Sequence, residues 1–492
     1  MRSQPDGPAP RRSASGSGAT LVIASAATFL ALVVFTSTLA TMPATAAALG
    51  AGAEGQAWIL SSMSIGLGVA LLPAGAVADD LGRRRALVLG AVVLAVGSVL
   101  CAVAPSTAVL VAGRIVAGVG AAALVAASLG LIGHAFPAGT PHAPRASGIW
   151  GASLGAGIAV GPLLATGSEA LAGWTAEYWI EAVLAVGLAV AARLGVEESR
   201  AATPRPLDLP GVALLAVGIA LLLTGLVEAR TGVFRPAPVG LVVGGLLVLG
   251  GWLLVERRRR DPMLDPALFR SPRFLAMMLA ALATGMGIIS TTSVLLSVAE
   301  RGLRTSALTA AVMLLAWSVT SVVTSLLARR LPTSISGRLQ MAVSLLVVAA
   351  GQALLLGAAP DSSVWRFVPG LFVAGVASGV LNAAFGREAV ASVPAGRAAM
   401  GSGANNTARY VGSAIGTTVV AVVTTRPGLP PGPAGLLGGF DDAVLVAGTF
   451  SLLGAIAVFL CRPRGHRDEQ ADSNHGQGSA RRDPGPSEAA VP

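Results

Sequence analysis

About fourteen apolar runs, each close to twenty residues long, follow one another along this chain with only short polar breaks between them. A bilayer core of about 30 Å needs roughly 20 apolar residues per helix, and a spanning segment must satisfy its own backbone hydrogen bonds. The runs extend from Ala19 to Met42, Ala57 to Ala78, Ala86 to Ala104, Ala108 to Gly133, Gly148 to Thr166, Trp174 to Ala192 and Leu209 to Val227. They continue from Pro238 to Val255, Phe274 to Ala299, Ala307 to Ala328, Leu339 to Ala359, Phe367 to Phe385, Ala408 to Val423 and Ala443 to Leu460. Only 12% of the residues are charged, against roughly 25% in soluble domains. The expected fold class is therefore an all-α polytopic membrane protein, its 62 glycines letting helices approach closely in lipid.

Every one of the 34 basic residues is arginine, and the formal net charge is +10. The arginines sit in alternate short loops, while the loops between hold only Arg230, Arg235, Arg301, Arg304, Arg366 and Arg426. That asymmetry predicts a multi-pass protein of the cell inner (plasma) membrane with both termini cytoplasmic. It accounts for the basic balance without nucleic acid; the Arg257–Arg260 cluster reads first as an inside anchor and inter-domain linker, with anionic lipid head groups as the alternative, and membrane lipids are expected partners of the protein. The first run exceeds the h-region of a cleaved signal, so it is read as a retained helix. The tails, residues 1–18 and 462–492, are rich in Ser, Pro, Gly and charge and read as disordered. Cys101 and Cys461 offer no disulfide framework, and His134, His142, His466 and His475 have no metal-ligand spacing, so no cofactor or metal is expected.

After the second run stands Gly75-Ala76-Val77-Ala78-Asp79-Asp80-Leu81-Gly82-Arg83-Arg84-Arg85. This string resembles the G-x-L-A-D-R-x-G-R-R signature of the major facilitator superfamily. Glycines permit a tight turn, an aspartate can sit at a neighbouring helix N-terminus, and the arginines hold the loop at the inner face. The resemblance implies an inner gate latch formed by Gly75, Asp79, Gly82, Arg83 and Arg84. Asp80 departs from the pattern, which usually has a basic residue there. A second match places Arg114 four residues before Gly118 in the fourth run, and an arginine within a membrane helix costs about 2.5–3.5 kcal/mol unless it meets a partner or water.

Gly148, Gly157, Gly161 and Pro162 are similar to the antiporter motif of that superfamily, G-x8-G-x3-G-P, while its terminal glycines are replaced by Ala165 and Thr166. Glycines four residues apart form a groove for close helix contact, and the proline can bend the helix. The strings Leu207–Gly211, Leu264–Arg270 and Asn405–Arg409 resemble the fourteen-span drug:proton antiporter subfamily. That resemblance implies two six-helix halves, residues 19–200 and 257–461, with two inserted helices in 201–256.

Relatives of this kind carry an acid in helix 1 where this chain has Val34. If transport is proton-coupled, the carboxylate lies elsewhere, and Glu181 in the sixth run is the candidate, with Glu177 one turn outward on the same face and Arg114 at similar depth as a partner. The alternative for both acids is an outer vestibule in contact with water.

The resulting expectation is a monomeric secondary transporter, a proton-coupled antiporter exporting drugs or small amphipathic molecules and powered by the proton gradient. An exporter or importer of one metabolite is the nearest alternative, and a transporter-derived membrane sensor the more distant one. The chain contains neither H-E-x-x-H nor a Walker-type segment, indeed no lysine, and is not read as an enzyme.

Overall fold

The structure, a computed structural model, describes residues 14–462 apart from 204, 206, 207, 233, 234, 260, 261, 333, 425 and 427. Most of both tails, Leu207, Arg260, His466 and His475 thus lie outside the described residues. Among those described there is helix and no strand: α1 Ala14–Leu49, α2 Ala53–Leu81, α3 Arg83–Ala102, α4 Thr107–Ala135, α5 Ala143–Ala172, α6 Ala176–Gly195, α7 Leu209–Glu228 and α8 Pro236–Arg258. Then follow α9 Pro272–Gly302, α10 Ala307–Leu327, α11 Gly337–Ala353, α12 Val368–Ala391, α13 Ala398–Thr424 and α14 Pro433–Leu460. A π turn, Gly285–Ile289, interrupts α9.

The starts follow from local chemistry. Ser306 and Ser336 accept from the backbone N–H three residues on, at 3.1 and 3.3 Å, and Asp208 accepts from Gly211 N at 2.8 Å. Proline stands in the first turn of α7, α8, α9 and α14, where its missing N–H costs nothing.

By length and composition, 12 of the helices described can cross a membrane. The remaining two are α11, which stops at Ala353 instead of reaching Ala359, and α13, whose first half is too polar. A count of fourteen spans is therefore not established. Other boundaries differ from the apolar runs because helices continue through polar turns. The first helix begins at Ala14, inside the segment read as a tail, and continues through Pro43 to Leu49.

Helices α1–α6 pack among themselves, α1 against α4, α5 and α6, and α4 against α2 and α3. Helices α9–α14 form a second group, and the two groups meet along α2 with α13 and α5 with α10. The hairpin of α7 and α8 lies outside: α7 touches both α2 and α13, while only 11% of the apolar window of α8 is buried. The main apolar core runs through both groups.

Candidate transport site

At one end of the bundle the α2–α3 turn is locked against α13. Asp79 is fully buried, pairs with Arg83 at 2.7 Å, and accepts from the backbone N–H groups of Met400 at 2.9 Å and Ala399 at 3.4 Å. Those amides open α13, so the carboxylate caps a helix dipole across the two groups. Arg83 also donates to the Gly396 carbonyl at 2.6 Å. A methyl on Gly75 would collide with the Ala399 carbonyl oxygen, so the close approach requires glycine. Gly82 has φ +128°, a left-handed value that glycine tolerates, and faces the Glu198 carboxylate, which accepts from Arg84 N at 3.1 Å. Asp80, the departure from the signature, pairs with Arg397 at 2.7 Å and accepts from Arg205 N at 3.0 Å.

The glycines of α5 serve two neighbours. A Cβ on Gly148 would stand 2.9 Å from the Ser325 carbonyl of α10, in the other group. One on Gly157 would stand 2.6 Å from the Phe29 carbonyl of α1, and one on Gly161 would overlap Thr36 Oγ1 of the same helix. Pro162 lies within α5, which remains helical through it. Trp150 donates to Ser128 Oγ at 3.2 Å, and Ser128 meets Thr28 Oγ1 at 2.7 Å, tying α5, α4 and α1 together.

Between the two groups lies a cavity of about 220 Å³, lined by parts of α1, α2, α4, α5, α7, α9, α10, α12 and α13. Its wall is largely apolar and aromatic, with Leu32, Phe35, Ile288, Trp317 and Tyr410, and Pro162 on its margin. Phe35 and Tyr410 meet edge to face at 5.5 Å between ring centres. Among the described residues three arginines line it, Arg114, Arg230 and Arg409, and no Asp or Glu does.

Glu177 and Glu181 lie behind α1 rather than on the cavity wall. They are 1% and 0% exposed, which removes the reading of a wet outer vestibule. Glu181 Oε1 accepts from Ser37 Oγ at 2.8 Å, and Glu177 Oε1 from Thr41 Oγ1 at 2.8 Å. Antiparallel helices with matched four-residue spacing give this pairing, hydroxyl to carboxyl, twice over. The second oxygen of each acid makes no close hydrogen bond, although Ser98 of α3 approaches the Glu181 carboxyl and Tyr178 that of Glu177. The other face of α6, with Trp179, Ile180 and Val183, is exposed.

Arg114 is 2% exposed and so does not snorkel to the interface. It forms no ion pair with either acid: its Nε donates to the Ile59 carbonyl at 2.9 Å and a terminal nitrogen to Thr38 Oγ1. Thr38 in turn meets the Tyr178 hydroxyl at 3.2 Å, so a hydroxyl pair joins the cavity arginine to the acid-bearing face of α6.

Two cavity residues escape sequence reasoning. Arg230, assigned to an outer loop, turns inward and donates to Thr417 Oγ1 at 2.9 Å. Arg409, assigned to the entrance of a helix, stands in the middle of α13 because that helix begins at Ala398. An arginine between Ala398 and Thr424 was the available signal, hidden by the polar residues Ser402, Asn405 and Asn406.

The Major Facilitator Superfamily family model matches residues 24–417. A probable actinorhodin transporter of Streptomyces coelicolor is 30% identical over 393 residues, 77% of this chain and 68% of that protein. A puromycin resistance protein of Streptomyces alboniger is 31% identical over 414 residues, 82% of this chain and 81% of its own. A multidrug resistance protein of Mycobacterium tuberculosis is 31% identical over 379 residues, 76% of this chain and 69% of its own. The fold is similar to the crystal structure of a human organic anion transporter, with TM-score 0.65 and 17% identity over 90% of this chain and 99% of that one. With a closed latch, a cavity between two helix groups and these relatives, the chain belongs to the Major Facilitator Superfamily and is a multi-pass, non-enzymatic transporter of small molecules.

Proposed function

We propose that this transporter is a proton-coupled antiporter that exports amphipathic small molecules by alternating access. The observation that carries the coupling is the pair of fully buried acids on α6, each held by one α1 hydroxyl and neither in an ion pair. Those carboxyls are where a proton would be held in transit. A proton gained or lost there acts on α1, which carries Ser37 and Thr41 toward the acids and Leu32, Phe35 and Thr36 toward the cavity. Helix α1 is thus the mechanical link between proton and substrate, with Arg114 and Thr38 beside it. Export is supported by the resistance names of two of the relatives.

In this reading the Asp79 end is cytoplasmic and its latch is the inner gate, shut in the conformation described. Residues 19–200 and 257–461 rock as two halves, residues 201–256 supply the inserted pair, and α11 and α13 complete fourteen spans with both termini cytoplasmic. The unit is a monomer in the cell inner membrane, using the proton gradient and no cofactor.

Inside-out vesicles provide the test. An acid interior should drive uptake of a substrate dye, and Glu181→Gln should abolish the drive while leaving downhill exchange of dye intact. Uptake indifferent to the proton gradient in the unaltered protein would overturn the proposal.

A further inference from the structure

Among the described residues the cavity wall carries three arginines and no carboxylate. Arg409 is 7% exposed, stacks its guanidinium on Phe385 at 5.1 Å, and leaves Nε and one terminal nitrogen without a hydrogen-bond partner. One turn earlier on α13, off the cavity wall, Asn405 is 1% exposed with both its side-chain amide nitrogen and oxygen unpartnered. Arg230 spends one terminal nitrogen on Thr417 and leaves Nε free. The acid nearest to it in sequence, Glu228, accepts from Trp58 Nε1 at 2.8 Å. A buried guanidinium without an acceptor is expensive, and a bound anion is the partner that relieves it.

Thr417 lies eight residues beyond Arg409, so the group bound by Arg230 stands about 12 Å farther along α13 at 1.5 Å per residue. Between them on α13 the wall offers Tyr410 and Ser413, and Ile288 and Trp317 line the same cavity from α9 and α10. We infer that the cavity takes amphipathic organic anions, flat apolar bodies bearing one or two acidic groups, with Arg409 and Arg230 as the charge-reading residues. Arg114 spends Nε on Ile59 and one terminal nitrogen on Thr38, keeps further N–H groups, and adds to the positive field of the same wall.

The inference rests on the reading of this cavity as the transport site, and a binding experiment that needs no gradient separates the two. Full-length protein in lipid nanodiscs is titrated with pyrene-1-carboxylate, pyrene-1-methanol and pyrene-1-methylammonium, reading tryptophan-to-pyrene energy transfer above that of empty discs. The carboxylate should bind about tenfold or more tighter than the alcohol, as hydrogen bonds to charged groups allow, and the preference should weaken with salt. Arg409→Gln and Arg230→Gln should each erase much of that preference, the carboxylate losing severalfold more affinity than the alcohol, and Arg409→Lys should keep part of it. If Arg409→Gln does not fold, Arg230→Gln carries the test. Equal binding of all three probes, preference for the cation, or equal loss of carboxylate and alcohol in the variants would overturn the inference. Intact charge preference without proton-driven transport would instead defeat the antiporter proposal alone.

Discussion

Arg397 Nη1 lies 2.7 Å from Asp80 Oδ1, joining residues 317 positions apart across the seam between the two helix groups. Both side chains are less than a tenth exposed. Removing one partner of a buried pair costs about 3–5 kcal/mol, mostly by leaving the other charge stranded. Asp80→Asn and Arg397→Gln should therefore each release the latch, and the exchange Asp80→Arg with Arg397→Asp should recover part of the lost transport. Reactivity of a cysteine placed at Ala399 toward a water-soluble maleimide reads the latch directly. A double exchange no better than its worse single change would deny the coupling.

Asp79 tests gating separately from binding. It caps α13 far from the cavity, so Asp79→Asn should slow turnover severalfold while the equilibrium affinity for dye stays within about twofold. Turnover in proteoliposomes against binding in nanodiscs gives the split. Equal loss of both in well-folded protein would contradict a latch.

Packing predicts an asymmetry among glycines. Gly157→Ala forces a methyl toward the Phe29 carbonyl and should lower stability by about 1–3 kcal/mol. Gly187→Ala, where a Cβ meets nothing within 4 Å, should leave the melting temperature unchanged. Thermal unfolding in detergent compares the two.

The acids should divide their labour by depth. Ser37→Ala removes the hydroxyl held by Glu181 and should shift the pH profile of transport, whereas Thr41→Ala, beside Glu177, should shift it less. Initial rates across pH in vesicles check this, and identical effects of the two changes would place both acids on equal terms.

Topology can be labelled at two exposed turns. A cysteine at Asp361 should react with an impermeant reagent from outside intact cells, and one at Gly139 only after the cells are opened.

Much of the architecture was legible because lipid enforces a pattern: helices facing it must be apolar, and they announce themselves as runs. The signature loop was legible because its order, Gly75 to Arg85, is improbable for a merely basic turn. What stayed hidden is the protein-facing interior. Helix α13 buries Ser402, Asn405, Asn406 and Arg409 among its neighbours, so its first half lacks the outward signal and its start was placed ten residues late. Arg230 was assigned to water by its position after an apolar run, and the direction of a side chain leaving a helix end is set by neighbours, here Thr417. The depth of Glu181 could be counted from sequence; that it faces Ser37 rather than the cavity could not.

Helix α7 is fastened on both sides: Glu228 accepts from Trp58 of α2, and Leu226 accepts from Thr418 of α13 at 2.7 Å. It thereby walls the cavity off from the hydrocarbon along that flank, with α8 standing between it and the acyl chains. On that flank the buried side chains of Leu223 and Val227 stand between the cavity and α8. The same fastening makes α7 a tether across the seam, so any parting of α2 from α13 must break one of its two hydrogen bonds or bend the helix that carries both.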